Sequence, residues 1–292
     1  DYGLDHDRDP RFPEDFYQAM AASGCLGVAM PERYGGTGLG VTEAAIVMHT
    51  VAKVAGGMSA ASAIHLNIFG PNTIVKFGSE DQKQRFLPEL IEGRVKACFA
   101  VTEPDAGLDT TSITTFAERD GDVYRVRGKK IWTTTALVAD KVLLLARTTE
   151  RSQTERWTEG LTIFYTDLDR SKVDIREIPK MGRAAVDSNE MFIEGLEIPV
   201  EDRIGEEGRG FGYLLHSLNP ERILIGIDAV GVGQQAIERA TDYARERTVF
   251  GRPIGQNQSI QHPLAESWMQ LEAAYLMCLQ AARLYDAGER VG

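Results

Sequence analysis

Apolar and polar positions along the chain change period twice. Up to about residue 98 the spacing is helical. Pro13-Glu14-Asp15-Phe16-Tyr17-Gln18-Ala19-Met20 opens a helix with a proline and two acids in its first turn, which suits the positive end of the helix dipole, and Ser23-Gly24 closes it. Val41-Thr42-Glu43-Ala44 begins another, with Thr42 as its cap. Residues 60–77, rich in Ala and Ile, read as one buried helix, and Ser79 with Gln82 has the spacing of a capping box. Near residue 99 the pattern turns to strands. Residues 116–126 read as strand, Asp-Gly turn, strand. Residues 141–147 and 161–166 are continuous apolar strands, and shorter ones fit at 173–175, 190–193 and 196–199. Residues 148–160 are polar and aperiodic and predict a surface loop. The helical period returns at Gly210. It runs through Asn219-Pro220-Glu221-Arg222 into a stretch of small residues (Ala229, Gly231, Gly233, Ala236) that would let another helix approach closely, and residues 259–288 form a last helix.

The expectation is an α+β, multi-domain chain: an N-terminal helical domain over 1–98, a central β-barrel or sandwich over 99–208, and a C-terminal helical bundle over 209–292. A length of 292 residues suffices for such a division. No apolar run approaches the ~20 residues that span a bilayer, and the acidic start lacks the basic and apolar regions of a signal peptide, so no membrane insertion is expected. A formal charge of −11, with no cluster of Lys or Arg, argues against a nucleic-acid partner. Cys25, Cys98 and Cys278 lie far apart and read as reduced thiols; the five histidines are equally scattered, so no metal site is expected. Residues 35–40, Gly-Gly-Thr-Gly-Leu-Gly, imitate a dinucleotide loop, but no strand precedes them and a surface turn is the better reading.

The informative stretch is Phe99-Ala100-Val101-Thr102-Glu103-Pro104-Asp105-Ala106-Gly107, followed by Lys130-Ile131-Trp132-Thr133-Thr134. A hydroxyl, a rigid Glu-Pro turn and small residues follow one short strand; an indole and a hydroxyl end another. Together they could hold a planar heteroaromatic cofactor, with backbone and Thr donors at its polar edge and Trp132 on its face. The run resembles the flavin-binding signature of the acyl-CoA dehydrogenases, and the order helices, β domain, helices is similar to theirs across nearly the whole chain. The resemblance implies FAD, with Thr134 near the hydride-accepting nitrogen of the flavin, Thr102 and backbone groups of Phe99 to Thr102, Val101 included, at the ring edge, and Gly107 in the same loop. Leu108 departs from the family's Ser at a position that contacts cofactor or thioester. Arg247, Phe250 and Gln258 match a motif that reaches the FAD of a neighbouring subunit, which implies a homo-oligomer, a dimer or tetramer.

Glu221 is the candidate catalytic base. A carboxylate set between Leu214-Leu215 and Ile223-Leu224-Ile225, poorly hydrated, suits general-base chemistry. Two other readings stand beside it: Asn219-Pro220-Glu221 is a good helix start, and Glu221 could pair with Arg222. The resemblance places the base of the isovaleryl-CoA and long-chain branches at such a Glu-Arg, and that of other branches in a loop nearer the C-terminus. It implies that Arg222 and Asn219 meet the CoA moiety, that Ser188 lies in a loop lining the CoA channel, and that the C-terminal bundle is incomplete in this chain. The implied activity is α,β-dehydrogenation of an acyl-CoA to a trans-2-enoyl-CoA, with electron-transfer flavoprotein as acceptor, in the cytoplasm of a bacterium or the mitochondrial matrix of a eukaryote. A flavin oxidase or monooxygenase of the same fold, and a degenerate paralogue that binds acyl-CoA without turnover, are the alternatives.

Overall fold

The computed structural model describes residues 5–6, 8–54 and 57–289; the acidic start read at residues 1–4 lies outside them. From Glu14 to Ile91 the described residues form five α-helices: α1 (Glu14–Ala22), α2 (Val41–Lys53), α3 (Gly57–Phe69), α4 (Asn72–Phe77) and α5 (Glu80–Ile91). The Ser79 capping box is present: the hydroxyl accepts from Gln82 N–H at 3.1 Å, and the Gln82 side chain accepts from Ser79 N–H at 2.9 Å. Two expectations fail here. The run 60–77 is two helices, because Gly70-Pro71 interrupts it and Pro71 has no N–H with which to continue the ladder. Thr42 does not cap α2 either. Gly40 stands at that position, and the orphan N–H groups of Val41 and Thr42 donate to the Asp286 carboxylate, at 2.8 and 2.9 Å, from the far end of the chain.

The central strands are β1 (Ala97–Ala100), β2 (Phe116–Asp120), β3 (Val123–Thr134), β4 (Lys141–Arg147), β5 (Leu161–Asp167), β6 (Val173–Glu177), β7 (Ser188–Pro199) and β8 (Arg203–Ile204). They form one eight-stranded sheet in the order β6-β7-β3-β2-β4-β5-β8, with β1 parallel to β4. The central residues of β4 and β5 are largely apolar because both their faces are buried. Leu143, Leu145, Ile163 and Tyr165 pack towards Ile74, Phe86 and Leu87 of the helices, while Val142, Leu144 and Phe164 meet Tyr124, Met191 and Ile193. No helix contributes to that second cluster among the described residues, so the sheet must curl over its own inner face, as a barrel or sandwich does. The two strands expected at 190–193 and 196–199 are one strand. Gly195 (φ +76°) is an extra residue opposite the Val126/Arg127 step, a bulge that tightens the twist where the sequence suggests a turn.

Two long helices follow, α6 (Gly210–Glu246) and α7 (Gln258–Asp286), joined by a small hairpin of β9 (Thr248–Val249) and β10 (Arg252–Pro253). The small residues of α6 are contact points: a Cβ on Gly231 would sit 2.8 Å from the His49 carbonyl oxygen of α2, and one on Gly233 would strike Leu271 of α7. Apolar residues of α2 and α3 share a core with Ile223, Leu224 and Ile227 of α6.

Candidate active site

Asn219-Pro220-Glu221 does not start a helix; it lies inside α6. Proline at 220 cannot donate to the carbonyl of His216, and Asn72 Nδ2 of α4 takes over that carbonyl at 2.8 Å. One residue further, Ser217 bonds to Thr73. These contacts pin α6 to α4 one turn before Glu221. Arg222 does not pair with Glu221: its guanidinium donates to Asn219 Oδ1 at 3.0 Å. Glu221, 28% exposed at its side chain, instead lines a cavity of about 190 Å³ together with Trp132, Thr134, Phe99, His65 and Asp228. The carboxylate thus shares one space with Phe99, Trp132 and Thr134, whereas Thr102 and Val101 do not line it.

Behind Trp132 and Thr134, the ends of β1 and β3 are tied by a buried ion pair that does not itself line the cavity. Lys130, which is fully buried, donates to Glu103 Oε1 at 3.0 Å and to the Val101 carbonyl at 2.9 Å. Glu103 also accepts from Thr114 N–H at 2.7 Å and Thr115 N–H at 2.9 Å. Burial pushes Lys130 down to about 8, opposed by the Glu103 charge. Burial alone would raise Glu103, but the ammonium and the Thr115 and Thr114 hydrogen bonds outweigh it and hold the carboxyl below its usual range. The pair fixes the end of β1 beside the end of β3, and Ile131 N–H donates to the Thr102 carbonyl at 2.9 Å. The β3–β7 register slips between Lys130 and Thr133, and Trp132 takes a left-handed conformation (φ +60°) that leaves its indole 57% exposed. A strained aromatic residue at a bulge, aimed at a cavity, is a feature of functional sites.

The hydroxyls of Thr102 and Thr134 have no hydrogen-bond partner among the described residues. Two free hydroxyls at neighbouring strand ends, beside an open indole face, fit a planar ring with a polar edge such as the flavin of FAD. Gly107 and Leu108 stand on an exposed loop outside the cavity lining, with Leu108 fully exposed. Ser188 is not in a loop. It is the first residue of β7, buried and in register with Thr134, and the loop expected there is residues 178–187. That loop contributes Arg183 (φ +51°) to the cavity, where its guanidinium donates to Ser62 of α3 at 3.2 Å. Asn219 and Arg222 do not line the cavity. Arg247, Phe250 and Gln258 gather elsewhere. Arg247 ends α6, Gln258 opens α7, and Phe250 stands fully exposed at the tip of the β9–β10 turn with φ +52°.

His65, Asp228 and Arg183 are cavity residues that sequence reasoning did not single out. His65 Nδ1 lies 3.4 Å from Asp228 Oδ2, and its Nε2 lies 3.9 Å from Glu221 Oε1. Burial would push the imidazole down, but the carboxylates of Asp228 and Glu221 overcome it and hold His65 above its usual range. Seven-residue spacing from Glu221 to Asp228 on an established helix was the available signal. Among the described residues no group of His, Cys, Asp or Glu could hold a metal ion, and no helix is long and apolar enough to cross a membrane.

Comparison with known proteins identifies the family. Three acyl-CoA dehydrogenase family models match in chain order: the N-terminal domain over residues 2–94, the middle domain over 98–196 and the C-terminal domain over 208–292. The acyl-CoA dehydrogenase fadE12 of Mycobacterium bovis is 35% identical over 296 residues, covering 100% of this chain and 74% of that protein. Butyryl-CoA dehydrogenase from Megasphaera elsdenii superposes with a TM-score of 0.91 at 29% identity, over 98% of this chain and 75% of that one. The FAD complex of PigA does so with a TM-score of 0.91 at 25% identity, over 99% and 75%. The chain therefore belongs to the acyl-CoA dehydrogenase family and is an FAD-dependent oxidoreductase.

Proposed function

We propose that the protein dehydrogenates an acyl-CoA thioester between its α- and β-carbons, giving a trans-2-enoyl-CoA, with Glu221 as the base. The observation that carries this reading is the shared cavity: Glu221 on α6 opens onto the same space as Trp132 and Thr134 at the end of β3. FAD bound against Trp132 supplies the acceptor for the β-hydride. The Thr134 and Thr102 hydroxyls and the backbone of Phe99 and Val101 orient the ring by donating to its polar edge. Glu221 receives the α-proton on its carboxylate. Phe99, Phe69 and Leu66 line the cavity and exclude water from the slot between base and ring. Arg222 and Asn219, outside the cavity on α6, would meet the CoA moiety, and the exposed loop of Gly107 and Leu108 would approach the bound cofactor and thioester. Ser188, buried and paired with Thr134 across the β3–β7 ladder, supports that strand end. Arg247, Phe250 and Gln258 would serve the FAD of a second copy in a homo-oligomer, and electron-transfer flavoprotein would reoxidise the cofactor.

The test is anaerobic titration of the FAD-loaded protein with straight and branched acyl-CoAs, followed by flavin absorbance. Bleaching by at least one of them is expected, and an unresponsive yellow protein would refute the dehydrogenase reading. Glu221→Gln should still bind acyl-CoA but slow bleaching by about three decades, the upper part of the range for a general base. Near-normal bleaching in that variant would move the base elsewhere. Rapid oxygen consumption by the reduced protein would instead indicate an oxidase.

A further inference from the structure

The acyl slot is not a plain hydrocarbon pocket. Asp228, 1% exposed, on α6 and His65 on α3 stand side by side in its wall, with Oδ2 and Nδ1 3.4 Å apart. Neither carboxylate oxygen of Asp228 and neither ring nitrogen of His65 completes a well-aligned hydrogen bond among the described residues. An ionised carboxylate offers about four acceptor directions, and burying it without donors is costly. A cavity meant only for methylenes would gain nothing from these groups, and Leu or Ile at both positions would fill it at lower cost. Asp228 follows Glu221 by about two helical turns, roughly 10 Å along the axis. His65 lies between them, with Nδ1 towards Asp228 and Nε2 towards Glu221. The pair therefore sits beyond the base, towards the C-terminal end of α6, in the lining of the same cavity.

Building on the dehydrogenase reading, we infer that His65 and Asp228 form a polar subsite for a neutral hydroxyl on the acyl chain, a few bonds beyond the β-carbon. The charges select neutrality. Two carboxylates, Glu221 and Asp228, already face two cationic groups, the Arg183 guanidinium and His65, whose imidazole those carboxylates favour in its protonated form. A further anion or cation on the ligand would have no counter-charge. A hydroxyl is matched at both ends: it donates to an Asp228 oxygen and accepts from a His65 N–H.

The probes are thioether analogues, which neither turn over nor cyclise: S-hexyl-CoA and its 4-, 5- and 6-hydroxy derivatives, titrated calorimetrically into the FAD-loaded protein. At least one hydroxylated analogue should bind roughly tenfold to hundredfold more tightly than S-hexyl-CoA, as expected for hydrogen bonds to charged partners. The double variant His65→Leu/Asp228→Leu should erase that advantage and bind S-hexyl-CoA more tightly than the parent does. Should it fail to fold, Asp228→Asn, which keeps the shape, should reduce the preference by about tenfold. S-hexyl-CoA binding as well as every hydroxylated analogue in the parent protein would overturn the subsite while leaving the dehydrogenase reading intact. Equal weakening of all analogues in the variants would also overturn it, because the pair would then only support the fold. Failure of every analogue to bind would overturn both readings together.

Discussion

At the scale of single residues, the buried Lys130–Glu103 pair decides whether the flavin-facing edge exists. A buried pair adds little net stability, but removing one partner strands a charge. Glu103→Gln leaves the Lys130 ammonium with one carbonyl and a neutral amide, and should cost about 3–5 kcal/mol. Lys130→Met should cost less, because Glu103 keeps its Thr114 and Thr115 donors. The double variant should be less destabilised than the sum of the two, by more than the ~0.5 kcal/mol within which independent sites add. Urea unfolding of all four proteins reads this out; additivity would show that the two side chains act separately. The acid limb follows in sign. Glu103 is held below its ordinary value of 4.5, so the unfolded chain takes up the proton first as pH falls. The contribution is complete above about pH 4.5 and is lost below it, and in Glu103→Gln the pH dependence of Tm on that limb should flatten. Lys130 and Glu103 stand in the motif that marks the cofactor site, but sequence alone gives no sign that they bond to each other. His65 was less legible still: one histidine in an Ala- and Ile-rich helix looks like a core residue until α6 brings two carboxylates to it.

At the scale of elements, strands were read more faithfully than helix ends. The apolar runs of β4 and β5 declare themselves locally, as does the β2–β3 hairpin, although its two turn residues are Gly121-Asp122 and not the Asp120-Gly121 that the sequence suggests. The errors came where a distant partner overrides a local signal. Pro220 looks like a helix start because its missing N–H must normally lie at an orphan position; here Asn72 satisfies the carbonyl left free, and the helix continues. Thr42 looks like a cap because nothing nearby competes with it, yet Asp286 supplies the acceptor from α7. Asp286→Ala should therefore destabilise the protein by about 1–2 kcal/mol, the usual worth of a lost cap. Asp286→Asn, which keeps an acceptor oxygen, should recover part of that. Thermal unfolding of the three proteins distinguishes this from an α7 terminus that merely lies nearby, for which neither substitution would matter.

At the scale of the whole molecule, the two halves of the predicted cofactor site are far apart. Glu221 and Arg247 lie at opposite parts of α6, about 39 Å apart along the axis. The cavity residues Trp132 and Thr134 cluster with Glu221, while Phe250 projects fully exposed from the other end. A side chain with that exposure and a left-handed backbone costs free energy in an isolated chain. It is explained if Phe250 and Arg247 reach a cofactor held by another copy. FAD binding and assembly are then linked, because a ligand that bridges two copies stabilises their association by mass action. The FAD content of the protein should rise with protein concentration across the range in which its sedimentation coefficient rises. Arg247→Ala and Phe250→Ala should each weaken FAD retention by about tenfold or more, Arg247 through the loss of a charge-assisted pair, while leaving the fold near Glu221 undisturbed. FAD held equally well by a monomer, with no effect of either substitution, would show that one chain completes its own cofactor site and that the exposed hairpin serves another purpose.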